Sequence, residues 1–165
     1  MATAAKNRQL DQGLRRNEKK WTGVLMDAGW SVFPNVILER QRSLKLDAVD
    51  VNILLHLVKH WWYPEKLPHP SKGAIADCMG IDAGTVRRHI KKLEERGLIE
   101  RKQRFDRRKG GQQTNEYDLS GLIAAAKPHA VEILKTRRDR KKQDAKGRIV
   151  GSMKLKVVAE DGDDD

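Results

Sequence analysis

The stretch SKGAIADCMGIDAGTVRRHIKKLEERGLI, residues 71–99, constrains the fold more than any other part of the chain. Ser71 can cap a helix by accepting a hydrogen bond from the backbone of the first turn. Ile75, Ala76 and Met79 follow at helical spacing. Gly80 stands where that helix must end, because glycine takes positive φ without steric cost. Ile81 packs inside the turn and Asp82 caps a second helix. Val86, Ile90 and Leu93 form one apolar stripe on it before Gly97 ends it. Two capped helices joined by a short glycine turn read as helix-turn-helix.

The flanks extend this nucleus. Asp47 or Asp50 can cap a helix over VNILLHLVKHWW, which Pro64 ends. Val51, Leu54, Val58 and Trp61 share its apolar stripe, with Leu55, Leu57 and Trp62 beside it. Trp61, Trp62 and Tyr63 read as core or dimer-interface residues, with base stacking as the other reading. Further upstream, Trp30–Phe33 reads as a brief strand and Pro34 as the start of a helix over residues 35–43. Downstream, LIERKQRFD and TNEYDL read as two strands joined by RRKGGQQ. Ile99 and Phe105 share one parity, so Phe105 and Tyr117 are expected to anchor the strands to the core. Gly110 and Gly111 are expected to make the turn. The stretch lacks the spacing and the Lys-Ser/Thr ending of a nucleotide-binding P-loop. From Ser120 a helix is expected, interrupted or restarted at Pro128. A short alternating piece at Met153, Leu155 and Val157 and an acidic end follow it.

The predicted fold is mainly α with a small β component (α+β): a winged helix-turn-helix with a three-helix core, a β-hairpin wing, flanking helices and disordered tails. It divides into a flexible basic arm over 1–20 and a winged helix-turn-helix domain over 21–120. A helical extension over 121–146 is a candidate for dimerisation, and a tail with an acidic end covers 147–165.

Charge narrows the function classes. With 34 Lys and Arg against 23 Asp and Glu, the formal net charge is +11. Such a surface attracts polyanions, meaning nucleic acid or an anionic membrane. The apolar run VNILLHLV is far too short to span a bilayer. The N-terminus lacks the apolar stretch of a signal peptide, and a lone Cys78 fits a reducing cytoplasm. Cys78 reads as an inert small hydrophobe. No nucleophile elbow or base-activated hydroxyl is present, and Asp27, Asp47 and Asp50 lack metal-type spacing, so no enzyme is expected. His56 and His60 supply two potential ligands, which Cys78 and His69 do not complete to a zinc site. His89 reads as a helix-edge residue packing its ring. No metal, cofactor or small-molecule ligand is expected.

At KGAIADCMGIDAGTVRRHIKKLEERGLIERKQRF the chain resembles the winged helix-turn-helix domains of bacterial regulators and of plasmid or phage replication proteins. The likeness rests on the Ile-Ala pair, Met-Gly-Ile with its capping residue, Thr-Val-x-Arg-x-Ile and LEERGLIER. It implies a recognition helix over 83–96 in the major groove of double-stranded DNA, with a wing over 106–114 beside it. Thr85, Arg87, Arg88, Lys91 and Lys92 are the candidates on the helix, since Arg can bind guanine with a bidentate fork. Arg104, Arg107, Arg108 and Lys109 are expected to meet phosphates from the wing, and Gln112 and Gln113 to reach the minor groove. Ser71 and Lys72, at a helix N-terminus, suit a backbone phosphate. The charges of the helix can also be read as an ordinary solvated face. The leading expectation is a cytoplasmic, nucleoid-associated transcriptional regulator acting as a homodimer. The alternatives are a plasmid or phage replication initiator or partition protein, and a non-specific nucleic-acid-binding or protein-interaction module.

Overall fold

The computed structural model describes residues 13–106 and 111–160. A helical stretch over residues 13–21 leads into α1 (Gly23–Asp27), α2 (Asn35–Glu39), α3 (Ala48–Lys59), α4 (Lys72–Met79) and α5 (Ala83–Glu95). Four short strands follow: β1 (Glu100–Lys102), β2 (Phe105–Asp106), β3 (Gly111–Gln112) and β4 (Glu116–Asp118). A long α6 (Ser120–Glu160) completes the order.

The helix ends form as their sequences require. Ser71 Oγ accepts from Ala74 N at 3.0 Å, and Asp82 Oδ2 from Thr85 N at 3.1 Å. Gly80 and Gly97 take φ of 65° and 66° where α4 and α5 end. Val86, Ile90 and Leu93 of α5 are buried against Ile75 and Ala76 of α4 and the inner face of α3. That face is Val51, Ile53, Leu54 and Leu57, so Ile53 joins the expected stripe and Leu55 faces solvent. Tyr117, Leu119 and Leu122 close the core from the wing and from α6.

One polar knot lies inside. Asp47 and Asp50 form a reciprocal capping box at the start of α3. Asp50 is fully buried, and its Oδ1 lies 2.7 Å from His89 Nδ1 of α5. Its Oδ2 accepts from Arg96 Nη1 at 3.3 Å, while Lys92 Nζ donates to Asp47 Oδ2 at 2.8 Å. Arg96 also donates to the carbonyl of Lys45, a residue held at φ 55°. Both candidate caps are therefore used, and each serves the helix end and a bridge to α5. His89 bonds a carboxylate rather than simply packing at a helix edge.

Several expectations are corrected. Trp30–Phe33 is not a strand, because no neighbouring strand is available to pair with it among the described residues. The helix expected over 35–43 stops at Glu39 and continues as turns through Lys45. Helix α3 ends at Lys59 with His60 as C-cap, so Trp61 and Trp62 lie beyond it, and Trp62 and Tyr63 are exposed. Cys78, read as an inert small hydrophobe, is exposed on α4. Helix α6 runs through Pro128 without a break; the site is solvent-exposed, so water can satisfy the carbonyl that the proline leaves unpaired. It also crosses the expected division at 146/147 and includes Met153, Leu155 and Val157 in helix.

Helix α6 is seated by close backbone contact. Leu122 N donates to Leu98 O at 2.7 Å, and a Cβ at Gly121 would fall 1.9 Å from Gly97 O. Only glycine fits there. Removing a buried, hydrogen-bonded carboxylate leaves its cationic partners unmatched. Asp50→Ala is therefore expected to lower stability by about 2–4 kcal/mol, with Asp50→Asn losing less. Urea unfolding of the two variants beside the parent checks this.

Candidate nucleic-acid interface

Helix α5 divides sharply between two faces. One is buried through Val86, Ile90 and Leu93, and a polar edge beside it, His89, Lys92 and Arg96, is tied to Asp47 and Asp50. The other carries Arg87, Arg88 and Lys91, all exposed. Arg88 Nη2 donates to Thr85 Oγ1 at 3.0 Å, which holds the guanidinium near the N-terminal half of the helix. Lys91 Nζ lies 3.5 Å from Glu95 Oε1, an exposed i,i+4 pair. Lys92, grouped by sequence with the outward residues, is engaged by Asp47 instead. Gly84 has a local reason: a Cβ there would fall 2.5 Å from Asp82 Oδ2, so the residue makes room for the cap.

Lys72, at the first position of α4, faces the same region as Arg87 and Arg101. Partial burial, followed by the nearby charges of Arg101 and Arg87, lowers its pKa from the ordinary lysine value. Arg101 of β1 sits 3.1 Å from Glu94 of α5 and so joins wing to helix. Three cations from three elements thus converge, with Glu94 as their counter-charge. The sequence singles out Lys72 and Arg87 as candidates, and Arg101 is not among them. The signal available for it was its place in LIER, immediately after the second helix. His89, Lys92 and Arg96 had a signal too, their i, i+3, i+7 spacing beside the apolar stripe.

The wing is built from two short antiparallel ladders. β1 pairs with β4 in the register Glu100↔Asp118, and β2 with β3 in the register Phe105↔Gln112. Between them two residues of one strand face three of the other, an irregularity of the bulge type. The ladder is broken at Gln103 and Arg104, so the alternation set at Ile99 does not carry through to Phe105, which is 70% exposed instead of anchoring the hairpin. Tyr117 is buried, as its alternation required, and its N–H bonds Pro68 O at 2.9 Å. Arg104 Nε lies 3.4 Å from Glu116 Oε1, and Arg104 O accepts from Gln113 N at 2.9 Å. Gln112 is in β3. Gly111 opens that strand at φ 145°, while Arg107, Arg108, Lys109 and Gly110 lie outside the described residues. A cleft of about 200 Å³ separates the wing base from α4, lined by Ser71 and Lys72 on one side and Gln113, Thr114 and Asn115 on the other.

Among the described residues Asp47, Asp50 and His89 alone bring metal-type ligand atoms together, and Lys92 and Arg96 lie within the same cluster. Those cations compensate the carboxylates, so the group is suited to holding α3 against α5. No described helix is long and apolar enough to cross a membrane.

At the wing base Asp118 accepts from Lys102 Nζ at 2.8 Å and from Ser120 N at 2.9 Å. The Lys102 bond, aided by the Ser120 backbone, lowers its pKa from 3.8 to about 2. A depressed carboxylate adds stability above its unfolded value and loses it as pH falls through the folded one. The contribution is expected to be intact above about pH 4 and lost on approaching pH 2. Carboxyl-detected NMR titration should give Asp118 the low midpoint, and Asp118→Asn should flatten the acid-unfolding curve over that window.

Residues 65–109 match the sequence model of the MarR family. No curated protein matches the chain. Among solved structures the chain is similar to the N-terminal domain of DnaD protein from Geobacillus kaustophilus, at 18% identity and a TM-score of 0.50, covering 73% of this chain and 96% of that one. It is also similar to a possible transcriptional regulator from Methanosarcina mazei, at 22% identity and a TM-score of 0.39, covering 68% of this chain and 85% of that one. The S. aureus MepR–DNA complex aligns at 15% identity and a TM-score of 0.41, covering 72% of this chain and 90% of that one. Helix, glycine turn, helix and a following two-stranded wing make this chain a winged helix-turn-helix protein.

Proposed function

We propose that this chain binds double-stranded DNA in a sequence-dependent manner as a transcriptional regulator, placing α5 in the major groove. The observation that carries the reading is the division of α5. Its apolar stripe is buried and its inner cations are held by Asp47 and Asp50, which leaves Arg87, Arg88 and Lys91 facing outward. Arg88 is the base-reading residue, since Thr85 restrains a guanidinium whose fork matches guanine O6 and N7. Lys72 and Arg101 flank the helix and serve backbone phosphates, with Ser71 and Gln113 across the adjoining cleft. The wing residues Arg104, Arg107, Arg108, Lys109 and Gln112 belong to the same surface in this reading. A second copy is accommodated along α6, where Ile123, Val131 and Leu134 are exposed beside the Arg40–Glu132 and Glu39–Arg137 pairs that tie the helix to the end of α2.

Selection from a random duplex library is expected to enrich a two-fold symmetric motif, the signature of a dimer on paired half-sites. Arg88→Ala should weaken binding to that motif by about 1–3 kcal/mol and leave random duplex nearly unaffected. Lys72→Ala should weaken both and reduce the slope of log affinity against log salt by about one. Absence of any enriched motif, or unchanged affinity of Arg88→Ala for the selected site, would overturn the reading.

A further inference from the structure

The side of α3 turned away from α5 carries a surface that the duplex-binding face leaves unused. Leu55, His56 and Lys59 point outward there, opposite the buried Asp50, Ile53, Leu54 and Leu57. The segment after α1 lies across them. Two adjoining hollows of about 540 and 360 Å³ result, and Trp30, Lys59 and Trp62 line both. Trp30 is 45% exposed, Trp62 70% and Tyr63 60%, and Lys66 Nζ stands 5.3 Å from the Tyr63 ring centroid. Trp61 lines the larger hollow, and its buried Nε1 has no hydrogen-bond partner among the described residues. Asp27 lines the same hollow.

We infer that this aromatic groove binds single-stranded DNA, stacking bases on Trp30 and Trp62 while Lys59 takes a phosphate. Exposed tryptophans beside lysines are the combination that single-strand binders use, because every base has a π-face and every linkage a negative charge. The polar groups of the larger hollow fit bases better than phosphates: Asp27 can accept from an exocyclic amino group and would repel an anion. Charge also argues against a second copy here. A two-fold contact would bring the Lys59 side of one groove against its own image in a chain of net charge +11. A strand is neutralised by that same charge. DNA rather than RNA is the occupant because the inference rests on the duplex-binding reading of α5, and an opened duplex supplies the strand. With α3 between the two faces, they lie about a helix diameter or more apart, so both can be occupied at once. A regulator holding duplex on one face and a separated strand on the other acts where DNA is opened.

The test uses the full chain and a labelled, non-self-complementary 20-nucleotide DNA strand, free or annealed to its complement, read by anisotropy and tryptophan emission. The strand is expected to bind and to quench emission. Trp62→Ala and Trp30→Ala should each weaken strand binding roughly 5- to 150-fold, the range of one base–aromatic stack. Duplex affinity and melting temperature should stay at parental values, and Trp62→Phe should retain most of the binding. Arg88→Ala should lose the selected duplex yet keep the strand, which separates failure of this inference from failure of the duplex reading. Four results would overturn it: no strand binding by the parent, unchanged strand binding in both tryptophan variants, tighter binding of an RNA strand of the same sequence, or sedimentation showing that Trp62→Ala turns a dimer into a monomer.

Discussion

A single carboxylate without solvent exposure sets the geometry on which the rest of this molecule depends. Asp50 closes the capping box of α3 and meets His89 and Arg96 of α5, so it fixes where one helix begins and how the other is rotated. Replacing such an ionic cluster with apolar side chains often costs a protein little stability, and what the cluster supplies here is direction. Hydrophobic packing of Val86, Ile90 and Leu93 would tolerate some rolling of α5 about its axis. Three directional contacts at residues 89, 92 and 96 do not. Arg87 and Arg88 consequently present their guanidinium groups at a defined angle to any partner.

The same arrangement sorts the charge of α5 by role. Lys92 and Arg96 offset carboxylates inside the fold, Lys91 is offset by Glu95 along the surface, and Arg101 is partly offset by Glu94. A net charge of +11 therefore overstates what is free to meet a polyanion at this helix and understates how localised it is. The residues left uncommitted surround the N-terminal half of α5 and the start of α4.

How much of this was legible in the sequence follows from the range of the forces involved. Ser71, Gly80, Asp82 and Gly97 act within a turn or two, so their roles could be read directly, as could the stripe of Val86, Ile90 and Leu93. The Asp50–His89 contact spans 39 positions; the spacing of His89, Lys92 and Arg96 marks a polar edge but not its partner. Phe105 was misplaced because parity counting assumes an unbroken ladder, and this one is interrupted after Lys102. Trp61 and Trp62 were assigned to α3 because the apolar pattern continues past His60, where the helix does not. Arg107, Arg108 and Lys109, expected at the tip of the wing, lie outside the described residues.

The contact between Gly121 and Gly97 gives α6 a mechanical character. A helix of 41 residues is about 60 Å long, and its second residue touches the Gly97 carbonyl just after α5. That is a lever with its fulcrum against the helix-turn-helix unit, braced along its first half by the Arg40–Glu132 and Glu39–Arg137 pairs at the end of α2. A tilt of about 5° at the pivot moves the far end by about 5 Å, and a displacement of the far end returns to the wing as a small rotation. Whatever grips the distal half of α6 gains a handle on how α5 and the wing are held, without touching either.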